Sequence, residues 1–160
     1  MSNNIIGRDV IIGKNFEIGN FCIIEDGVII GDNVKIENYV YLMAGTKIGD
    51  NVRIDSYVRT GGNKNIIGNN CILKIRTTLS PGTVVEDDVF FGPHSMVLHA
   101  TYNGRHTPTI IRKGVWIGSC ALIGPGVVIS HDVIIGSMSF VNKDCNMSGS
   151  LYVGIPARLS

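Results

Sequence analysis

Residues 30–54 read IGDNVKIENYVYLMAGTKIGDNVRI and have a large aliphatic residue at every sixth position. An α-helix repeats near 3.6 residues and an ordinary strand near 2, so neither accounts for a period of six. Short strands separated by tight turns do account for it, because each strand and turn then buries one large side chain. The segment therefore predicts a parallel β-helix.

The same period extends over almost the whole chain. It continues in three blocks, residues 6–60, 67–97 and 111–141, in which Thr60 is the one polar member. The register slips by one residue between the first two blocks, and the polar segment 100–110 separates the last two. We expect about seven coils stacked about 4.8 Å apart, with segment 100–110 extruded as a functional loop.

Composition excludes several classes of protein. With 160 residues, 44% hydrophobic and 17% charged, the chain is expected to form one domain over 1–160, ending in a tail over 146–160. A net charge of +1 gives no field for a nucleic acid or an anionic membrane. The N-terminus has no signal-peptide pattern, and no segment is long and apolar enough to span a membrane. These features predict a cytoplasmic location.

The turns have a recurring composition. Glycine often follows the large apolar residue, where a turn needs an unusual φ or a close approach of the backbone, and Asp or Asn often comes next. The fifth position of each hexad is small or β-branched and is predicted to share the interior. Cys22, Cys71 and Cys145 occupy this position. We interpret them as reduced core residues, because the cysteines show no metal-ligand spacing.

Several motifs carry a family resemblance. The repeats IGDNVK, IGDNVR and IGNNCI, the segment VWIGSCALIGPGVVI and the ending VGIPARL resemble the hexapeptide-repeat acyltransferases, over residues 5–159. The resemblance implies an all-β fold, a left-handed β-helix of triangular section with three hexads per coil. It also implies homotrimers with active sites between subunits. The hand comes from the resemblance alone, since parallel crossovers are normally right-handed.

The resemblance further implies a coenzyme A site along one vertex. In acetyltransferases similar to the last third of this chain, the matching motifs are WIGSCA, IGSMS, VNKD and GIPAR. A cation suits the nucleotide phosphates, and a backbone N–H between Ser119 and Ala121 would stabilise the oxyanion. Ser137 and Ile155 depart from the usual Ala and Asn. The implied cofactor-binding residues are Ser119, Ala121, Ser137, Asn142, Lys143 and Arg158.

Three hexads per coil place one polar series at a single vertex. It contains Tyr39, Tyr57 and Arg76, followed by His94, Cys120 and Met138. Aromatic faces and guanidinium groups suit sugars and phosphates, so Tyr39, Tyr57 and Arg76 are predicted to bind substrate. A solvated edge is the alternative.

A general base is needed for acetyl transfer, and histidine suits this role near neutral pH. In related galactoside and maltose acetyltransferases the base stands where this chain has Tyr102, a predicted substrate contact. His99 is the nearest substitute and His94 the next. His131, followed by Asp132, is similar to the His-acid step of amino-sugar N-acetyltransferases. A turn histidine bonded to backbone is the alternative for each, and His106 is predicted to be solvent-exposed.

Coil counting separates these histidines. The coenzyme sulfur lies roughly 15 to 20 Å from the nucleotide end, or three to four coils of about 4.8 Å each. His131 lies within about one coil of Lys143, whereas His94 and His99 are expected about three coils away. The count therefore disfavours His131.

The sequence favours an acetyl-CoA-dependent transferase that needs no metal and acetylates the amine of a nucleotide-linked amino sugar in surface-polysaccharide or glycan biosynthesis. A sugar O-acetyltransferase is the first alternative. The segment GPHSMVLHA, with two histidines five residues apart, also resembles γ-class carbonic anhydrases, but the third zinc ligand is missing. A non-catalytic β-helix scaffold is the last alternative.

Overall fold

The computed structural model describes residues 3–62, 64–99 and 107–160. Two-residue strands alternate with corners as far as residue 141, and two longer strands follow. Each large residue of the repeat is the second residue of a strand, and its side chain points inward. Successive strands belong to three different sheets, so every third strand pairs in parallel with the one a coil earlier. The polypeptide thus encloses a triangular core.

We number the strands β1 to β24 along the chain. Sheet A contains β1 (Ile5–Ile6), β4 (Ile23–Ile24), β7 (Tyr41–Leu42), β10 (Arg59–Thr60), β13 (Thr78–Leu79), β16 (Met96–Val97), β19 (Leu122–Ile123) and β22 (Phe140–Val141). Sheet B contains β2 (Ile11–Ile12), β5 (Ile29–Ile30), β8 (Lys47–Ile48), β11 (Ile66–Ile67), β14 (Val84–Val85), β17 (Ile110–Ile111) and β20 (Val128–Ile129). Sheet C contains β3 (Glu17–Ile18), β6 (Lys35–Ile36), β9 (Arg53–Ile54), β12 (Ile72–Leu73), β15 (Phe90–Phe91), β18 (Trp116–Ile117), β21 (Ile134–Ile135), β23 (Leu151–Gly154) and β24 (Ala157–Leu159).

The arrangement confirms the predicted fold class, the left-handed β-helix of the resemblance. A coil is counted from each sheet A strand, which gives seven full coils and a partial eighth within the described residues. The three edges of the prism are the A–B, B–C and C–A corners, named for the sheets they join. The predicted column that contains Ile18 and Ile135 lies on sheet C.

The interior is built from two residues per hexad. The large residues of coils 2–7 are almost fully buried, and the small fifth-position residues beside them are buried as well. Cys22, Cys71 and Cys145 are buried among them, which confirms their interpretation as core residues, whereas Cys120 is exposed. Burial raises the pKa of both Cys71 and Cys145 to about 11.

The corners explain why glycine precedes Asp or Asn. The Asp50 carboxylate accepts a hydrogen bond from the backbone N–H of Asp32, one coil below, at 2.7 Å. The corner above lies so close to Gly31 that a Cβ there would be 2.7 Å from the carbonyl carbon of Gly49. Glycine is therefore needed for close approach; the positive φ occurs two residues later, at 56° for Asn33.

The register slip is one extra residue at the A–B corner of coil 4, which contains residues 61–65. The interrupting segment begins at the same corner two coils later, between β16 and β17. Residues 100–106 of the predicted loop lie outside the described residues, so the structure describes only its last part, residues 107–110. The two irregularities of the repeat therefore share one edge of the prism.

The predicted tail forms structure of its own. β23 extends sheet C in parallel to β21, and β24 pairs back on β23 in antiparallel register. No stretch of residues 3–62, 64–99 or 107–160 forms a helix that could cross a lipid bilayer.

We predict that Gly31→Ala destabilises the protein by about 1–3 kcal/mol, because the new Cβ would overlap the backbone of the next coil. Gly62→Ala is the matched control. Its Cβ would meet only Met43 Cε at 3.5 Å, an ordinary contact. Urea unfolding at equal protein concentrations checks this. Equal midpoints for the two variants would contradict the close-approach explanation.

Candidate functional site

A groove lies along the A–B corner of coils 4–6, where the repeat is irregular. It has a volume of about 350 Å³ and is bounded below by Gly61 and Gly62 and above by Leu98 and His99. Ser80 and Pro81 of the intervening corner lie between them. The corner with the extra residue and the residues directly before the interrupting segment thus form the two ends of one depression, on the outer side of sheet A.

The wall behind this groove is polar on its inner side. Thr60, which breaks the apolar series, accepts the Met43 N–H at 2.9 Å and lies 3.2 Å from the Thr46 hydroxyl. The amide of buried Asn65 donates to the carbonyl of Ser80 at 2.7 Å. These contacts tie the corners of coils 3–5 together and fix the shape of the groove.

The three candidate bases lie on three different corners. His94 is exposed at the C–A corner, His99 is exposed in the groove at the A–B corner, and His131 is exposed at the B–C corner. His94 and His99 flank β16 and lie at opposite edges of sheet A. Tyr102 and His106 lie outside the described residues.

Coil counting needs one correction. Lys143 follows β22, and β16 lies two strands below β22 in sheet A. His99 is therefore two coils below Lys143, and His94 little more, rather than the three that the sequence predicts. The error arises because the sequence alone did not assign the strand next to each of these residues to one of the three sheets. His131, one coil below Lys143, lies where it was predicted.

The C–A corner differs from the other two in its left-handed residues. The other corners use Asp, Asn or Gly at positive φ, apart from Lys64. Such a conformation costs a larger residue about 1–2 kcal/mol, so this corner has an offsetting contact or a function. The C–A corner residues at positive φ are Phe21, Tyr39, Tyr57, Arg76, His94, Cys120 and Met138.

Ring stacking supplies part of the stabilisation that offsets the cost of these left-handed conformations. The Phe21 and Tyr39 rings lie 5.1 Å apart and those of Tyr39 and Tyr57 4.9 Å apart, all nearly parallel. The Arg76 guanidinium lies 5.5 Å from the Tyr57 ring centre. The faces of Tyr39 and Tyr57 are thus covered by neighbours, and a ligand would meet their edges and the Arg76 side chain. Their role in substrate binding stays a prediction.

Two of the implied coenzyme residues lie on this same corner. Ser119 and Ser137 occupy equivalent positions in coils 6 and 7. Ala121 is fully buried, and its N–H donates to Gly118 O at 3.3 Å, so it packs beneath the surface. The N–H of Cys120 donates to Pro93 O, whereas that of Ser119 has no hydrogen-bond acceptor among the described residues. Of the three predicted oxyanion donors, Ser119 N–H is the available one.

The other implied coenzyme residues converge at the C-terminal end. Lys143 and Arg158 line one cavity of about 270 Å³, together with Tyr152 of β23. Arg158 donates from Nη1 to Asn142 Oδ1 at 3.5 Å, which links β24 to the A–B corner of coil 8. The structure therefore brings Asn142, Lys143 and Arg158 together, with Ser119 and Ser137 across sheet A.

His131 belongs to a separate charged cluster at the B–C corner. Its Nδ1 lies 3.9 Å from Glu86 Oε2, and the Arg112 guanidinium contacts Glu86 Oε1 at 2.6 Å. Partial burial raises the pKa of Glu86, but hydrogen bonds from Arg112 and the Lys113 N–H outweigh it and leave the pKa lowered.

The described residues do not form the zinc site of a γ-class carbonic anhydrase within one chain. His94 and His99 lie on opposite edges of sheet A, so one ion could not bind both within a chain. Among the described residues no three His, Cys, Asp or Glu side chains converge as metal ligands do.

Sequence reasoning missed the groove residue Arg59. It belongs to β10, directly before the extra residue, and its neighbour Thr60, the single polar member of the repeat, is buried behind the groove. The slip was visible in the sequence, but its position on the prism became clear only once strands were assigned to sheets.

Comparisons with known proteins agree with the repeat and the fold. Residues 27–62 match the family described as bacterial transferase hexapeptide (six repeats), and residues 4–44 match the hexapeptide repeat of succinyl-transferase. A chloramphenicol acetyltransferase from Klebsiella aerogenes is 53% identical over 36 residues, which are 22% of this chain and 17% of that protein. The match thus covers under a fifth of that relative.

Two solved structures are similar over nearly the whole chain. UDP-N-acetylglucosamine O-acyltransferase (LpxA) from Moraxella catarrhalis superposes with a TM-score of 0.67 at 22% identity, covering 100% of this chain and 68% of its own. A mutant of AntD, an N-acyltransferase from Bacillus cereus in complex with dTDP and coenzyme A, gives 0.68 at 23% identity, covering 96% and 83%. These likenesses confirm the fold, and with the repeat matches they confirm the resemblance to hexapeptide-repeat acyltransferases.

We predict that one thiol per native chain reacts with Ellman's reagent at pH 8. Cys120 is exposed, whereas Cys71 and Cys145 are buried with a pKa of about 11 and remain protonated. Cys120→Ser should abolish the native reaction, and guanidinium should release all four thiols of the wild-type chain. Rapid reaction of a second native thiol would contradict the burial described above.

Proposed function

We propose that this protein is an acyltransferase that uses acetyl-CoA and acetylates the amine of a nucleotide-linked amino sugar, in surface-polysaccharide or glycan biosynthesis. One observation carries the proposal: a cavity with two cations and a groove with a histidine lie on the same corner of the prism. The cavity contains Lys143 and Arg158, and the groove contains His99.

The separation of the two sites suits coenzyme A. Ser80 and Pro81, at the middle of the groove, lie three coils below Lys143 on the A–B corner. Three coils correspond to about 14 Å along the axis, close to the reach from nucleotide to sulfur, and His99 at the upper end of the groove lies two coils, about 10 Å, below Lys143. Lys143 and Arg158 would bind the nucleotide phosphates, and the thioester would then reach the groove.

The chemistry requires one proton transfer. The acceptor nitrogen attacks the thioester carbonyl carbon, so a C–N bond forms, the C–S bond breaks and coenzyme A leaves as the thiol. A neutral histidine removes the proton of the attacking amine. We assign this role to His99, which lines the groove, with His94 at the other edge of sheet A as the second candidate. The Ser119 N–H lies across sheet A from His99 within one chain, so a neighbouring protomer would supply this N–H to stabilise the oxyanion.

The acceptor class is supported by the nature of the similar proteins. AntD was solved with dTDP and coenzyme A, and LpxA is an acyltransferase of UDP-N-acetylglucosamine. A nucleotide sugar therefore suits this chain as acceptor. Because the LpxA enzyme is an O-acyltransferase, transfer to a sugar hydroxyl remains the alternative.

A homotrimer is part of the proposal. Ser119 and Ser137 are across sheet A from Lys143, so a groove between subunits would combine the corner of one protomer with that of another. Sheet C carries an outward apolar stripe in coils 4–7, whereas Glu17, Lys35 and Arg53 occupy coils 1–3. The stripe consists of Ile72, Phe90, Trp116 and Ile134. The cytoplasmic location predicted from the sequence is retained here.

The activity is tested by thiol release from acetyl-CoA with UDP- and dTDP-linked amino sugars and sugar hydroxyl acceptors. We expect His99→Ala to lower turnover by about 10²–10⁴-fold, the usual contribution of a general base, while calorimetry shows unchanged acetyl-CoA binding. His94→Ala and His131→Ala are the comparison variants.

The outcomes separate the parts of the proposal. Loss of turnover only in His131→Ala would contradict the groove as the reaction site. Failure of the wild-type protein to bind acetyl-CoA would contradict the acyltransferase itself and favour a scaffold.

We predict that Trp116→Glu converts a trimer to monomers, because Trp116 is 41% exposed at the middle of the apolar stripe and stacks on Phe90 at 5.3 Å. Light scattering after gel filtration measures the mass. Lys35→Glu, on the same outward face in coil 2, is the control and should leave the mass unchanged. A wild-type monomer would contradict the trimer.

A further inference from the structure

Arg59 is held in place at the groove by side chains beneath it. Its guanidinium lies 5.3 Å from the centre of the Tyr41 ring. The Tyr41 hydroxyl donates to Glu25 Oε1, and the Ala44 N–H donates to Glu25 Oε2 at 2.8 Å. The bond to Glu25 raises the pKa of Tyr41, so the phenol keeps its proton. Arg59 thus rests on an anchored ring.

The charge of Arg59 is not neutralised within the described residues. None of the ion pairs formed there includes Arg59. Its guanidinium nitrogens also donate no hydrogen bond to a described side chain or backbone carbonyl. A guanidinium that contacts an aromatic ring through a cation–π interaction still has its N–H donors, which can bind an oxyanion.

The groove around Arg59 accepts negative charge. No Asp or Glu lines it among the described residues, whereas the cavities on the neighbouring coils include Glu25 and Asp26 or Glu86 and Asp87. The lining combines this cation with the Thr78 side chain of the next strand and with His99. Methionines supply its apolar part.

The extra residue at this corner also favours a large anion. Gly62 exposes backbone at the lower end of the groove, where an added Cβ would meet only Met43 Cε at 3.5 Å, so a ligand can approach closely; Gly61 beside it is packed under Pro81. Lys64, exposed in the same corner, adds a second positive charge to the segment. The guanidinium group of Arg59, which can donate two parallel hydrogen bonds, together with the exposed backbone of Gly62, fits a phosphate group.

We propose that this groove binds the phosphate of the acceptor through Arg59, so that the nucleoside diphosphate part of the acceptor lies at the A–B corner of coils 4–5. The inference rests on the proposed function and adds a residue that positions the acceptor. The sugar would extend toward His99 at the upper end. Arg59 binds and positions the acceptor and takes no part in the proton transfer.

The test is calorimetric titration of the full chain with UDP, dTDP and uridine. For Arg59→Gln we expect the Kd of both diphosphates to rise by about 10-fold or more, from loss of charge-assisted hydrogen bonds, with uridine binding unchanged. Arg53→Gln is the matched control. Arg53 is also exposed at the first position of a two-residue strand, but on sheet C and away from the groove.

A second measurement needs no variant. UDP should slow phenylglyoxal modification of Arg59 in the wild-type protein, read by peptide mass spectrometry, while Arg53 is modified at an unchanged rate. Uridine should give no protection. Arg59→Lys, which keeps the charge without the planar fork, should bind UDP with intermediate affinity.

The outcomes distinguish the two levels of the proposal. If wild-type and Arg59→Gln proteins bind UDP equally and UDP gives no protection, the phosphate site is overturned even where thiol release continues. Binding of glucuronate at Arg59 without binding of UDP would also overturn it, in favour of an acidic sugar. Diphosphate binding at Arg59 without acetyl-CoA binding would support the site and reject the acetyltransferase.

Discussion

The structure depends on the hydrogen bond by which a corner side chain accepts a backbone N–H of the coil below. Asp50 and Asp32 form one such link, and Asp32 forms the next with the N–H of Lys14 at 2.7 Å. The acceptor occupies the volume that a Cβ would need, so the corner below must begin with glycine. Sequence and fold are coupled here: Gly31-Asp32 and Gly49-Asp50 set both the direction of their corners and the stacking of consecutive coils.

Where this link is absent, the corners acquire other properties. On the C–A corner of coils 6 and 7, serine replaces Asp or Asn, and the N–H of Ser119 is left without an acceptor among the described residues. On the A–B corner of coils 3–5, buried hydroxyl and amide groups replace part of the aliphatic packing. Both departures lie next to sheet A, so this sheet and its edges combine most features expected of a site, whereas the B–C corner keeps its regular Asn ladder through Asn70.

The periodicity was sufficient to predict the β-helix and the core positions, because a six-residue repeat has few other structural solutions. It predicted the burial of Cys71 and the column on sheet C for the same reason. It could not give the positions of His94 and His99 along the axis of the β-helix, since the interruption leaves open how much of a coil the loop replaces. It also gave no indication of Arg59, because an arginine at the outward strand position is ordinary in this repeat, and only the Tyr41 ring and the nearby extra residue distinguish it from Arg53.

The polar wall behind the groove has a consequence for how such a protein diversifies. Its contacts, Thr60 with Met43 and Asn65 with Ser80, connect only adjacent coils, so each corner is supported locally. A change in corner length at coil 4 or coil 6 therefore alters the groove while the strands above and below keep their register. The stacked strands stay unchanged while individual corners vary in length and sequence. Selectivity for a new acceptor can therefore arise from two short segments, without change to the core.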